Sequence, residues 1–131
     1  MSQRLREAER VFLQRYKEWL DTVEEGLSSV AYFYREGHVD NGDRLLIQMM
    51  EEFAPFSSDN MTMRYLFVEK EEMAEDMENF HDKLENAQNI SSCHTTEQRI
   101  RFLASDLMPA FQKWKLLVQS VKEDAKRPDP S

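Results

Sequence analysis

Cysteine occurs once in this chain, at Cys93. An internal disulfide is therefore excluded, and a reducing compartment is expected. Glycine and proline are nearly as scarce, with three and four residues, and Pro128 and Pro130 both fall in the last four positions. So few breakers leave little room for the tight turns of an all-β fold. No apolar run approaches the roughly 18 residues of a membrane-spanning helix, and the charged opening MSQRLREAER lacks the apolar core of a secretory signal. Basic side chains are also in deficit, 17 against 25 acidic ones, for a formal charge of −8. Such a chain repels phosphate backbones and anionic membrane surfaces, so neither nucleic acid nor membrane is an expected partner. A Gly-rich phosphate loop, a Gly-x-Ser-x-Gly elbow and a His-Glu-x-x-His pair are missing as well, so no enzyme is expected and no catalytic residue is named. The expected location is cytoplasmic.

What the chain does have is helical periodicity, strongest between Arg10 and Arg35. Leu13, Tyr16, Leu20, Val23, Leu27, Val30 and Tyr34 recur at steps of three and four, a helical seam. Phe12, Trp19 and Phe33 run one position upstream of seam members, which widens the apolar face beyond what a two-stranded coiled coil needs. Gly26 falls in the same flanking row, where a missing side chain lets another helix come close. Gly37 is the expected left-handed residue after the helix end near Glu36.

Three more helices follow in the reading. The second runs from about Asn41 to Phe53, capped by Asp40, with Asp43 in its first turn favourable to the helix dipole. Its face carries Leu45, Leu46, Met49, Met50 and Phe53, while Ile47 points away. So apolar a helix is either central or lies at a contact between chains. Pro55 ends it, and Ser57 or Ser58 caps the third helix, about Asp59 to Gln88. The seam of that helix is Met63, Leu66, Lys70, Met73, Met77, Phe80, Leu84 and Ala87. Its outer face is acidic, with Glu71, Glu75, Glu78, Asp82 and Glu85 among others. Thr95 and Gln98 have capping-box spacing and open the fourth helix. Ile100, Leu103, Leu107, Phe111, Trp114, Val118 and Val121 line its seam, and Pro109 within it removes the hydrogen bond to the Ser105 carbonyl and predicts a kink.

Two groupings invite a metal. Glu78 and His81 stand one helical turn apart, as carboxylate-bridged di-iron bundles require, but those need a second such pair and two further glutamates. Phe80 takes the inward position, leaving His81 outward and Glu78 at the border. Cys93 and His94 are adjacent in a connector with His38 in another, a poor spacing for zinc. No cofactor is expected.

The methionines Met49, Met50, Met61, Met63, Met73, Met77 and Met108 gather on or beside the apolar faces of helices two to four. Flexible thioethers either fill an irregular core or line a surface that repacks around partners. The expected fold is all-α, a mainly antiparallel four-helix bundle with a long first helix, a short second helix and a Pro-kinked fourth. It forms one domain over 1–124 with a flexible tail over 125–131. In that expectation the first helix packs against helices three and four, and the second crosses or caps them. In architecture it is similar to small cytosolic adaptors and secretion chaperones. The expected function is a non-enzymatic protein-interaction module, with Met63, Met73, Met77, Glu71 and Glu75 forming a groove of apolar floor and negative rim for a partner helix flanked by Lys or Arg. The alternatives are a structural or regulatory homodimer, with Ile47 and Met50 at its contact, and a metal-carboxylate bundle.

Overall fold

The computed structural model describes residues 7–57, 60–68 and 71–121, with the side chains of Val68, Glu71 and Glu72 outside that set. The expected roles of Asp59 and Lys70, the polar lead-in before Glu7 and the tail expected over 125–131 lie outside the described residues.

Every regular element among the described residues is helical. The long helix α1 spans Glu7–Arg35 and α2 spans Val39–Glu51. A 3-10 turn, Ala54–Phe56, leads to α3, a single turn at Met61–Met63 that widens into a π turn over Arg64–Val68. Then come α4, Glu71–Gln88, and a second 3-10 turn, Ile90–Ser92. The last stretch is α5, Thr96–Phe102, a π turn at Leu103–Leu107 and α6, Met108–Gln119.

All seven seam residues of α1 are at most 1% exposed. The helix stops as its sequence requires. Gly37 takes a φ of +85°, its N–H bonds the Tyr34 carbonyl at 3.2 Å, and the His38 N–H reaches back to Phe33 at 2.8 Å, the paired bonds of a Schellman end. That turn delivers the chain straight into α2, which begins at Val39 with His38 before it, two residues ahead of the expected start. Asp40 therefore sits inside the first turn and is not the cap. Asn60 caps α3 in place of the expected Ser57, accepting from the Met63 N–H at 3.0 Å while its own amide holds the Pro55 carbonyl at 3.2 Å; Ser58, the other expected cap, lies outside the described residues. The Thr95–Gln98 capping box forms as read, with Gln98 N–H to Thr95 Oγ1 at 3.0 Å and Thr95 N–H to Gln98 Oε1 at 3.3 Å.

The most extensive partner of α1 is α2, not the third and fourth helices of the expectation; α4 packs on α2 and on α6, and α1 also meets α5 and α6. Gly26 makes the first of these approaches possible. A Cβ there would lie 2.2 Å from the Met49 sulfur. Being covered by α1 and by α4, α2 uses its apolar surplus inside the chain. The interior is knitted by rings: Phe80 lies 5.6 Å from Phe53 and 6.1 Å from Phe111, and Phe67 lies 5.2 Å from Trp114 and 5.8 Å from Tyr16. Trp114 Nε1 donates to the Tyr16 hydroxyl at 2.7 Å, so both polar tips are satisfied where no water reaches. Burial pushes the Tyr16 hydroxyl well above its ordinary pKa. Lys115 fastens α6 to α1 through Asp21, at 3.0 Å, and Glu24.

The two π turns correct the expected seams. Phe67, absent from the helix-three seam, is fully buried beside Leu66. In the last helix Ile100 is 37% exposed, and Arg99 takes the inward place at 8%. A straight helix through Leu103, Leu107, Phe111, Trp114 and Val118 centres its face near Ile100. The extra residue in the turn at Leu103–Leu107 rotates that face back by nearly one position, to Arg99. Pro109, which has no N–H to give, stands at the start of α6 directly after this turn.

Candidate functional site

A groove of about 640 Å³ opens between the C-terminal end of α2, the turn that follows it, and one stripe of α4. Its floor is made by Met50, Phe53, Met77 and Leu84, each at most 7% exposed, so only their tips face the opening. Glu78, Asp82 and Glu85 form the α4 side. Their spacing of four and three sets them in a row along one helix face, and all three are exposed. Arg64 stands on the lining as well, leaving the set net negative.

His81 lies in this same stripe and is only half-buried, yet its Nε2 is shielded and has no hydrogen-bond partner. Burial holds its pKa below the usual value, with the nearby Asp82 carboxylate pulling the other way. The imidazole is thus neutral near pH 7 and leaves the acidic character of the groove intact.

The residues singled out from sequence are divided by the fold. Met77 lines the groove and so does Met50, an expected dimer contact. Met63 and Met73 are buried in the core at 0% and 5% exposure. Glu75 is exposed on α4 outside the groove lining, and the Glu71 side chain is outside the described set. Ile47 is half-buried and packs on the chain's own core. Phe53 and Arg64 were not foreseen here. Phe53 reads as ordinary core, and no local signal shows that the chain after α2 stands away from α4 at this point. Glu78 and His81 share the groove wall, but among the described residues no group of three or more His, Cys, Asp or Glu converges as a metal site would need.

A second polar cluster is buried and structural. Arg99 donates from Nε and Nη2 to the two oxygens of Asp43, both at 2.9 Å, and Tyr34 donates its hydroxyl to Asp43 at 2.7 Å. The cluster ties α5 to the starts and ends of α2 and α1. Its hydrogen bond to Asp43 raises the pKa of Arg99, and burial followed by the same carboxylate raises that of Tyr34. Asp43, expected to act on the helix dipole, is instead the acceptor of this pair.

Among the described residues no helix is long and apolar enough to cross a membrane. Comparison with curated proteins and with solved structures gave no match. The profile of a family described as a domain of unknown function, DUF8042, matches residues 11–117, and the chain belongs to that family.

Proposed function

We propose that the protein is a non-enzymatic, cytoplasmic interaction module of adaptor or chaperone type. In this reading an antiparallel four-helix-bundle framework presents the groove between α2 and α4 to a basic, amphipathic segment of a partner protein. The observation that carries the reading is the pairing of an apolar floor, Phe53 and Met77, with the acid row Glu78, Asp82 and Glu85 in one opening. Floor side chains at most 7% exposed offer little area, so the occupant inserts one or two side chains rather than laying down a broad apolar stripe. A Lys or Arg suits both parts, its methylene stem over Phe53 and Met77 and its charged head among the carboxylates. The carboxylates speed encounter and reject acidic segments more than they add affinity, and added salt weakens them.

The homodimer reading rested on an unpartnered face of α2. With α2 packed on both α1 and α4, that motive is gone. The metal reading has two donors on one helix and no described third.

The test is a displayed library of helical peptides panned against the purified protein. Recovered sequences should carry a Lys or Arg with one or two apolar side chains beside it. They should associate more slowly with, and bind more weakly to, a Glu78→Gln, Asp82→Asn, Glu85→Gln triple variant whose melting curve is unchanged. Recovered peptides without basic bias, or equal binding to the triple variant, would remove the reading.

A further inference from the structure

Away from the acidic groove, a smaller cleft of about 200 Å³ separates the C-terminal half of α1 from the α5–π–α6 stretch. The hydrogen bond from Lys17 Nζ to the Val121 carbonyl, 2.8 Å, and the contact of Gln112 with Glu24, 3.4 Å, show that these two stretches run antiparallel. On that register Leu27 and Ser28 face Met108, while Arg35 faces Ile100. The cleft exists because Ser28, Ala31 and Ala104 are too small to fill the space between helices, and because the π turn has swung Ile100 out to the edge. Its wall is otherwise Leu27, Leu103 and Met108, with Arg35 the one charged group on it. Arg35 makes no ion pair among the described residues, whereas Arg10, Arg99, Arg101, Lys113 and Lys115 each lie within 4.0 Å of a carboxylate.

We infer that this cleft binds a small amphipathic carboxylate, its alkyl chain along Leu103, Ile100 and Met108 and its head on Arg35. Apolar walls select a hydrocarbon, and one unpaired guanidinium with no acid on the lining selects an anion on an otherwise acidic protein. At roughly 30 Å³ per water-sized group, the space holds about six or seven carbons. It has less than a third of the volume of the groove beside α4, too little for a helical segment. The site is independent of the protein-binding reading above.

The probe is a series of straight-chain carboxylates, butyrate to decanoate, titrated below their micellar concentrations into protein carrying ¹³C-methyl labels on Ile and Met. The chain has three isoleucines, Ile47, Ile90 and Ile100, so two serve as internal controls. The Ile100 and Met108 methyls should shift saturably, Ile47 and Ile90 should not, and affinity should rise about fourfold per methylene before levelling near seven carbons. Octylammonium should bind at least tenfold more weakly than octanoate, and Arg35→Gln, at an exposed position, should erase the preference of octanoate over octanol. Shifts that fail to saturate or spread equally to Ile47 overturn the inference. So does equal binding of ammonium and carboxylate, or an Arg35→Gln variant that keeps the preference. A peptide ending in leucine that outcompetes octanoate at Ile100 would make the cleft a protein-docking surface and overturn it as well.

Discussion

Arg99 meets Asp43 through a two-pronged contact, Nε to Oδ1 and Nη2 to Oδ2 at 2.9 Å each, across 56 residues of sequence. Both are buried, at 8% and 7% exposure. Removing one partner of such a pair costs far more than the pair contributes, because the other charge is stranded. Arg99→Leu should therefore destabilise by about 3 kcal/mol, at the low end for such a change because Asp43 keeps the Tyr34 hydroxyl. Asp43→Asn added to it should recover part of that loss, since the amide is neutral and still accepts from Tyr34. Arg99→Lys should not recover it, lacking the planar fork. Chemical denaturation measures all three; an Arg99→Leu loss within about 0.5 kcal/mol, the scale of a surface change, would show that the pair is open to water.

Gly42 and Gly26 both sit where a side chain would collide, and the two collisions differ in kind. At Gly42 an added Cβ would lie 2.5 Å from the Tyr34 ring, and that ring is tethered by its bond to Asp43. At Gly26 the obstacle is the flexible end of Met49, which can turn away. Gly42→Ala should thus cost about 1–3 kcal/mol as overpacking. Gly26→Ala should fall nearer neutral, because about 1 kcal/mol of helix propensity offsets the displaced thioether. Thermal melts of the two variants decide it, and a Gly26→Ala loss as large as that of Gly42→Ala would count against the difference in tether.

These contrasts mark how far the sequence could be read. The α1 seam, the Gly37 stop and the Thr95–Gln98 start were legible because each is a local rule that the fold does not override. Arg99 was not, for two physical reasons. Periodicity assumes one helical pitch, and the π turn at Leu103–Leu107 breaks it. Hydrophobicity also places a cation outside unless its partner is known, and Asp43 is distant in the chain. Phe67 was missed for the first reason alone. The acid row Glu78–Asp82–Glu85 was visible as an outer face, but its groove depends on where the chain after α2 passes, a tertiary fact with no local signal. Met63 and Met73 show the converse: a thioether on a helical seam reads alike as core or surface until its neighbours are placed.

Tyr16 gives the third prediction. Its hydroxyl is the acceptor for Trp114 Nε1 at 2.7 Å with both residues fully buried. Tyr16→Phe keeps the ring and its contacts with Phe56 and Phe67 but strands the indole N–H. A loss of about 1–3 kcal/mol is expected, with Trp114→Phe in the Tyr16→Phe background costing less than Trp114→Phe alone. A Tyr16→Phe variant as stable as the parent would mean that another acceptor, such as water, reaches the indole.

The last prediction concerns pH and the one imidazole in the acidic groove. Burial lowers the His81 pKa below its usual 6.5, so the unfolded chain takes up the proton more readily than the folded one. Its contribution to stability is fully present above about pH 6.5 and declines as pH falls from there through the lower folded value. The parent should therefore lose more Tm between pH 7.5 and 5 than His81→Gln does. Glu78, Asp82, Glu85 and Arg64 share the groove in both proteins, so their own titration cancels to first order in the comparison. The same protonation places a positive charge beside the acid row, and a basic peptide selected on the groove should bind the parent more weakly as the pH falls. In His81→Gln that decline should be smaller, leaving only what the carboxylates themselves contribute. The two readouts separate the causes. Parallel Tm curves would mean that His81 titrates alike in folded and unfolded chains, whereas divergent Tm curves with parallel binding curves would place the peptide somewhere other than this groove.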